Sequence, residues 1–87
     1  MWDEALQECD EKIERIIETY SSYSGDEDSS QIRAAYELAK TAHSQQKRAT
    51  GEPYLVHPVA VAEIMTELHV DKETLIASLL HDTVEDT

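Results

Sequence analysis

A histidine set before a proline, a histidine–aspartate doublet and a basic pair carry the chemistry this chain could perform. The doublet is His81-Asp82, and Glu85-Asp86 follows it closely. On a helix, His81 and Glu85 stand four residues apart, as do Asp82 and Asp86, so each pair shares a face. Imidazole with carboxylate is a donor set suited to manganese, iron or zinc. Further carboxylates nearby could orient or deprotonate a water on such an ion. The bland alternative is a solvated acidic helix end with His81 on the surface. That alternative has a cost, because acidic groups at a helix C-terminus oppose the macrodipole.

His57 precedes Pro58, which fixes the backbone at the start of a helix. A neutral imidazole there can be a metal ligand; it can equally be a capping histidine with no ion. One histidine at a helix start and a His-Asp pair near a later helix end would supply three ligands from separate elements. Lys47-Arg48 precede a Gly-containing turn. Arginine grips phosphate through two parallel hydrogen bonds, and a solvated surface pair is the plain alternative. Tyr54 fills core or stacks on a base, and core is the simpler expectation. His43, among alanines, reads as a half-buried histidine with a local hydrogen bond. His69, beside a helix end, reads as exposed. Cys9 reads as a small core residue, and Trp2 as a core or edge anchor.

The elements that must position these groups follow the helical period. Trp2, Leu6, Cys9, Ile13, Ile16, Ile17 and Tyr20 predict an amphipathic helix over 2–20. Residues 21–30 are polar turn formers and predict a loop. Ser29 or Ser30 can cap a second helix, with Ile32, Ala35, Tyr36, Ala39 and Ala42 on one side, running to about Gln45 or Gln46. A Gly- and Pro-punctuated loop covers 47–54. His57-Pro58 opens a third helix whose buried face is Val59, Val61, Ala62, Ile64, Met65 and Leu68, ending at His69-Val70. Asp71 can cap a fourth helix through Leu75, Ile76, Leu79 and Leu80 into His81. The fold class is therefore all-α, a bundle of about four helices.

Composition narrows the function. Eighty-seven residues with 40% hydrophobic and 30% charged side chains fit one small globular domain. No apolar run approaches the ~18–20 residues of a membrane span. No signal peptide is read at the N-terminus. A single cysteine excludes a disulfide framework and leaves a cytoplasmic location as the expectation. The net charge of −12 argues against nucleic acid and anionic membranes as partners. Its distribution is uneven. Residues 1–30 carry ten carboxylates against Lys12 and Arg15, a net −8. Residues 31–56 carry a net +2, and residues 57–87 a net −6. A small anion suits the middle block and a cation suits the last.

Three stretches carry a resemblance: Ala-Tyr-Glu-Leu-Ala-Lys-Thr-Ala-His (35–43), Gln-Lys-Arg-Ala-Thr-Gly-Glu-Pro-Tyr-Leu-Val-His-Pro-Val-Ala-Val-Ala (46–62) and Leu-Leu-His-Asp-Thr-Val-Glu-Asp-Thr (79–87). From Ala34 to Thr87 the chain closely resembles the N-terminal hydrolase domain of RelA/SpoT-type bifunctional proteins, which make and degrade (p)ppGpp in the stringent response. That domain belongs to the HD superfamily of metal-dependent phosphohydrolases, which is all-α. Residues 1–30 match only as a leading amphipathic helix and acidic loop, and residues 31–87 match the first part of the HD domain. The resemblance implies one divalent ion, normally Mn2+, on His57, His81 and Asp82. It implies that Glu85 and Asp86 position and activate the attacking water. Arg48 would contact the nucleotide with help from Lys47, and Thr50 to Tyr54 would form a loop beside the guanosine pocket. The implied reaction removes pyrophosphate from the ribose 3′ position of ppGpp or pppGpp, a guanine nucleotide substrate.

The family's domain continues beyond Thr87 and supplies a further aspartate ligand there. The expectation is thus a truncated bundle, poorly active alone. Its open core would leave a patch around Val59, Ile64, Leu75 or Leu79 available for self-association. Three other readings stay open: a phosphohydrolase for another nucleotide, a non-catalytic HD-like binding module, and an acidic helical interaction domain.

Overall fold

The structure is a computed structural model that describes residues 2–43, 46–47 and 51–86, with Trp2 and 82–86 described by backbone only. Four helices follow one another: α1 (Trp2–Ser24), α2 (Ser30–Ala42), α3 (Val56–Glu67) and α4 (Lys72–Asp86). The all-α expectation holds. α4 packs against both α2 and α3, while α1 packs mainly against α3. One core results. Cys9, Ile13, Ile16, Ile17 and Tyr20 of α1 meet Ile32, Ala35, Tyr36 and Ala39 of α2, Val59 and Ala62 of α3, and Leu75 and Leu79 of α4.

α1 is four residues longer than its apolar stripe predicts. Ser22 and Ser24 donate their hydroxyls back to the carbonyls of Thr19 and Tyr20, each at 2.7 Å. Tyr23 is held from outside: its hydroxyl donates to the Val70 carbonyl at 2.7 Å, and its ring stacks on His69 at 4.4 Å. Gly25, at φ +76°, then stops the helix. The start of α2 also departs from expectation. Ser29 occupies the N-cap without a capping bond from its side chain. The work falls to Asp28, whose carboxylate accepts from the backbone N–H of Ser30 at 3.0 Å and from its hydroxyl at 2.7 Å. α2 ends at Ala42 with His43 as its C-cap, earlier than predicted.

The α3–α4 corner is closed by a Schellman turn. The N–H of His69 donates to Thr66 O at 3.1 Å and that of Val70 to Met65 O at 3.3 Å, with His69 at φ +57°. The exposed ring of His69 lies on Tyr23, which compensates for a left-handed backbone that non-glycine residues adopt rarely. Asp71 caps α4 as expected, accepting from the N–H of Thr74 at 2.8 Å.

α3 corrects the predicted buried face. Pro58, Val59, Ala62 and Thr66 are buried, Val61 and Met65 are half-buried, but Ile64 is 55% and Leu68 67% exposed. Apolar residues surround most of this helix, so periodicity alone does not choose its inward face. Thr66 can enter the core because its hydroxyl donates to Glu63 O at 2.7 Å. The expected patch is corrected with it. Val59, Leu75 and Leu79 are fully buried under neighbouring helices, and only Ile64 of that set is exposed, alongside Leu38 and Leu68 elsewhere.

Ion pairs tie the helices at their rims. Arg33 grips Glu14 with both guanidinium nitrogens, Lys72 pairs with Asp26, and Lys40 and Tyr36 both donate to Asp10. Burial opposes ionisation of Asp10, but the Tyr36 and Lys40 hydrogen bonds outweigh it and hold the carboxyl below its ordinary value. Burial, followed by the bond to Asp10, pushes the Tyr36 phenol up. A carboxyl lowered in the folded state stabilises above its unfolded pKa and loses that contribution as pH falls through the folded value. Asp10→Asn is therefore expected to flatten the acid limb of a pH–stability curve. In the core, Leu79→Ala should cost about 2–5 kcal/mol, whereas Leu68→Ala should stay within about 0.5 kcal/mol; urea unfolding followed by circular dichroism measures both.

Candidate metal centre

The antiparallel α3–α4 hairpin sets the first turn of α3 beside the last turns of α4. His57 stands in that first turn and His81 ten residues into α4. Both line one groove of about 390 Å3. Its walls are two helical stripes: His57, Pro58, Val61 and Met65 from α3, and Thr74, Ala77, Ser78 and His81 from α4. The spacings are those of side chains stacked turn on turn. Apart from Thr74, Ser78 and the two imidazoles, the lining is apolar. The Ser78 hydroxyl donates to Leu75 O at 2.7 Å.

His57 is not a cap. The N-cap of α3 is Leu55, and no side chain bonds there. Pro58 falls inside the first turn, where its missing N–H leaves no helix bond unmade. The helix thus begins one residue before His57, slightly earlier than predicted, and the His57 ring is half-buried. His81 is exposed at the mouth of the groove. The backbone stays helical through Asp86, so Asp82 and Asp86 continue the register of Leu75 and Leu79, and Glu85 that of His81. The side chains of Asp82, Glu85 and Asp86 lie outside the described residues, as do Arg48 and Thr50 altogether.

Lys47 is described and exposed, paired as an isolated antiparallel bridge with Pro53 across the base of the intervening loop. Tyr54 is half-buried between two imidazoles. Its ring is 4.8 Å from that of His43, tilted at 36°, and 6.0 Å from that of His57, edge-on at 71°. His43 itself is 1% exposed, more deeply placed than the half-buried residue expected, and its Nδ1 pairs with the Gln46 side-chain oxygen as a local bond. Sequence reasoning passed over His43 as a site element; its position four residues ahead of the basic pair was the available signal. His69 sits at the opposite end of the hairpin from the groove's two histidines. Cys9 is buried in the core, and burial pushes its thiol up to about 11, which keeps it out of ligand chemistry at neutral pH.

A sequence model described as "HD domain" matches residues 35–87. The chain belongs to the HD domain family. This HD chain is 47% identical over 78 residues, 90% of its length, to a guanosine-3′,5′-bis(diphosphate) 3′-pyrophosphohydrolase of Aquifex aeolicus. It is 47% identical over 77 residues to the bifunctional (p)ppGpp synthase/hydrolase SpoT of Escherichia coli, and 45% over 75 residues to the bifunctional (p)ppGpp synthase/hydrolase RelA of Mycobacterium tuberculosis. The chain spans about 10% of the length of each of these relatives. Among the described residues no helix is long and apolar enough to cross a membrane.

If the groove is one binding site, a paramagnetic ion will report both walls together. Titrating Mn2+ into the chain is expected to broaden the ring signals of His57 and His81 in parallel. His69, at the far end of a 12-residue helix and so about 18 Å away along its axis, should stay sharp. Broadening of one groove imidazole without the other would contradict the shared site.

Proposed function

We propose that this chain carries the metal-binding first part of a (p)ppGpp 3′-pyrophosphohydrolase domain. The observation that carries the reading is the groove shared by His57 and His81 in a chain whose relatives are named for that reaction. The donor set supports a divalent ion. Two imidazoles with the carboxylate of Asp82 suit Mn2+, and three protein donors leave coordination positions open to water and substrate oxygens. Such an ion, when bound, polarises a phosphoryl oxygen and makes water acidic enough to react near neutral pH.

The protein's own groups do the rest. His57 and His81 hold the ion from opposite helices, and Asp82 adds charge next to His81. Glu85, one turn beyond His81, and Asp86 orient the attacking water and accept its proton. Lys47 and Arg48, in the basic middle block, neutralise the phosphates. Thr50 offers a hydroxyl from the same loop, and Tyr54 forms the loop's inner wall on the guanosine side. Water adds to the 3′-pyrophosphoryl group, the ribose 3′ oxygen leaves with a proton, and pyrophosphate departs from GDP or GTP. The chain's acidity outside the basic middle block suits an enzyme acting on a free nucleotide in the cytoplasm rather than on a polyanion.

Thermal shift tests the assignment. Mn2+ with ppGpp is expected to raise the melting temperature more than Mn2+ with GTP or ATP. Binding at a hundredfold excess over Kd adds about 2.7 kcal/mol. The double variant His81→Ala, Asp82→Ala should lose the Mn2+ response. Equal shifts with all three nucleotides would point to a phosphohydrolase of other specificity, and no Mn2+ response in the wild type would overturn the metal reading.

A further inference from the structure

Among the four histidines one is buried, and the proposed chemistry gives it no role. His43 is 1% exposed, yet its ring is not enclosed by aliphatic core alone. It pairs through Nδ1 with the Gln46 side chain and packs against the Tyr54 ring. Gln46 is held at two further points: its N–H donates to His43 O at 3.1 Å, and its carbonyl accepts from the N–H of Tyr54 at 2.9 Å. Lys47 and Pro53 bridge immediately above. The base of the 47–53 loop is therefore tied to α2 through His43. Tyr54 leaves that base with one face towards His43 and its ring edge-on to His57.

We propose that His43 is a positioning residue. It fixes Tyr54, and through Tyr54 it fixes both the imidazole of His57 and the footing of the loop that bears Lys47, Arg48 and Thr50. A hydrocarbon side chain in its place would fill the volume but release Gln46, and with it the turn that orients Tyr54. The link between basic loop and groove would then be lost while the helices stayed packed. Its bearing on metal affinity rests on the function proposed above; its bearing on His57 geometry does not. Groups that hold a ligand from behind commonly change metal affinity by about 10–100-fold when removed.

The test compares the wild-type chain with His43→Phe and Tyr54→Leu by NMR, first without metal and then with Mn2+ alone. In folded His43→Phe, the His57 ring signals should move and the Tyr54 amide should exchange at least about tenfold faster, as expected for local opening. The His81 ring signals should stay in place. The Mn2+ midpoint at His57 should rise by about tenfold or more. Tyr54→Leu, which leaves His43 in the core, should shift the His57 ring in the same way. Unchanged His57 signals in either folded variant would overturn the inference. Should His43→Phe fail to fold, Tyr54→Leu decides by the same criterion. A wild-type chain that ignores Mn2+ would count against the proposed function, while the metal-free His57 shifts would still decide the role of His43.

Discussion

The packing of α3 on α4 is the constraint on which the site depends. Val59 and Ala62 of α3 and Leu75 and Leu79 of α4 are fully buried. Their burial sets both the spacing and the rotation of the two helices, since close-packed interiors resist small displacements. The Schellman turn at His69-Val70 and the Asp71 cap make the reversal tight. Antiparallel packing then brings the start of one helix beside the end of the next. His57 and His81 are 24 positions apart in the chain, yet both face one groove.

A second layer of support comes from behind the hairpin. α2 covers α4, and His43, its C-cap, closes the loop that returns to α3 together with Gln46 beyond it. The ring series His43, Tyr54, His57 runs from core to groove. Among the described residues α1 lends none to the groove, but it stabilises the far corner, where Tyr23 grips His69 and Val70. Stability and site geometry are thus supplied by opposite ends of the same two helices.

Much of this was legible in the residues because helices announce themselves by period. The stripes of α1 and α2 and the Asp71 cap follow from spacing, and the resemblance over 34–87, which implied a role for His57 and His81 together, agrees with the family found. Other features depend on partners that a linear pattern does not contain. α3 is apolar on nearly every side, so only its neighbours decide that Ile64 and Leu68 face outward. The last four residues of α1 are polar and read as loop, yet serine back-bonds and a tyrosine anchored 47 residues away keep them helical. His43 looks ordinary among alanines until the loop brings Tyr54 onto its ring.

Under the proposed function, one divalent ion is shared between α3 and α4. Anomalous diffraction from crystals grown with Mn2+ measures this most directly. A single anomalous peak within bonding distance of both His57 and His81, with Asp82 completing the protein donors, is the predicted result. Separate peaks at the two imidazoles, or density bound to surface carboxylates with the groove empty, would contradict it.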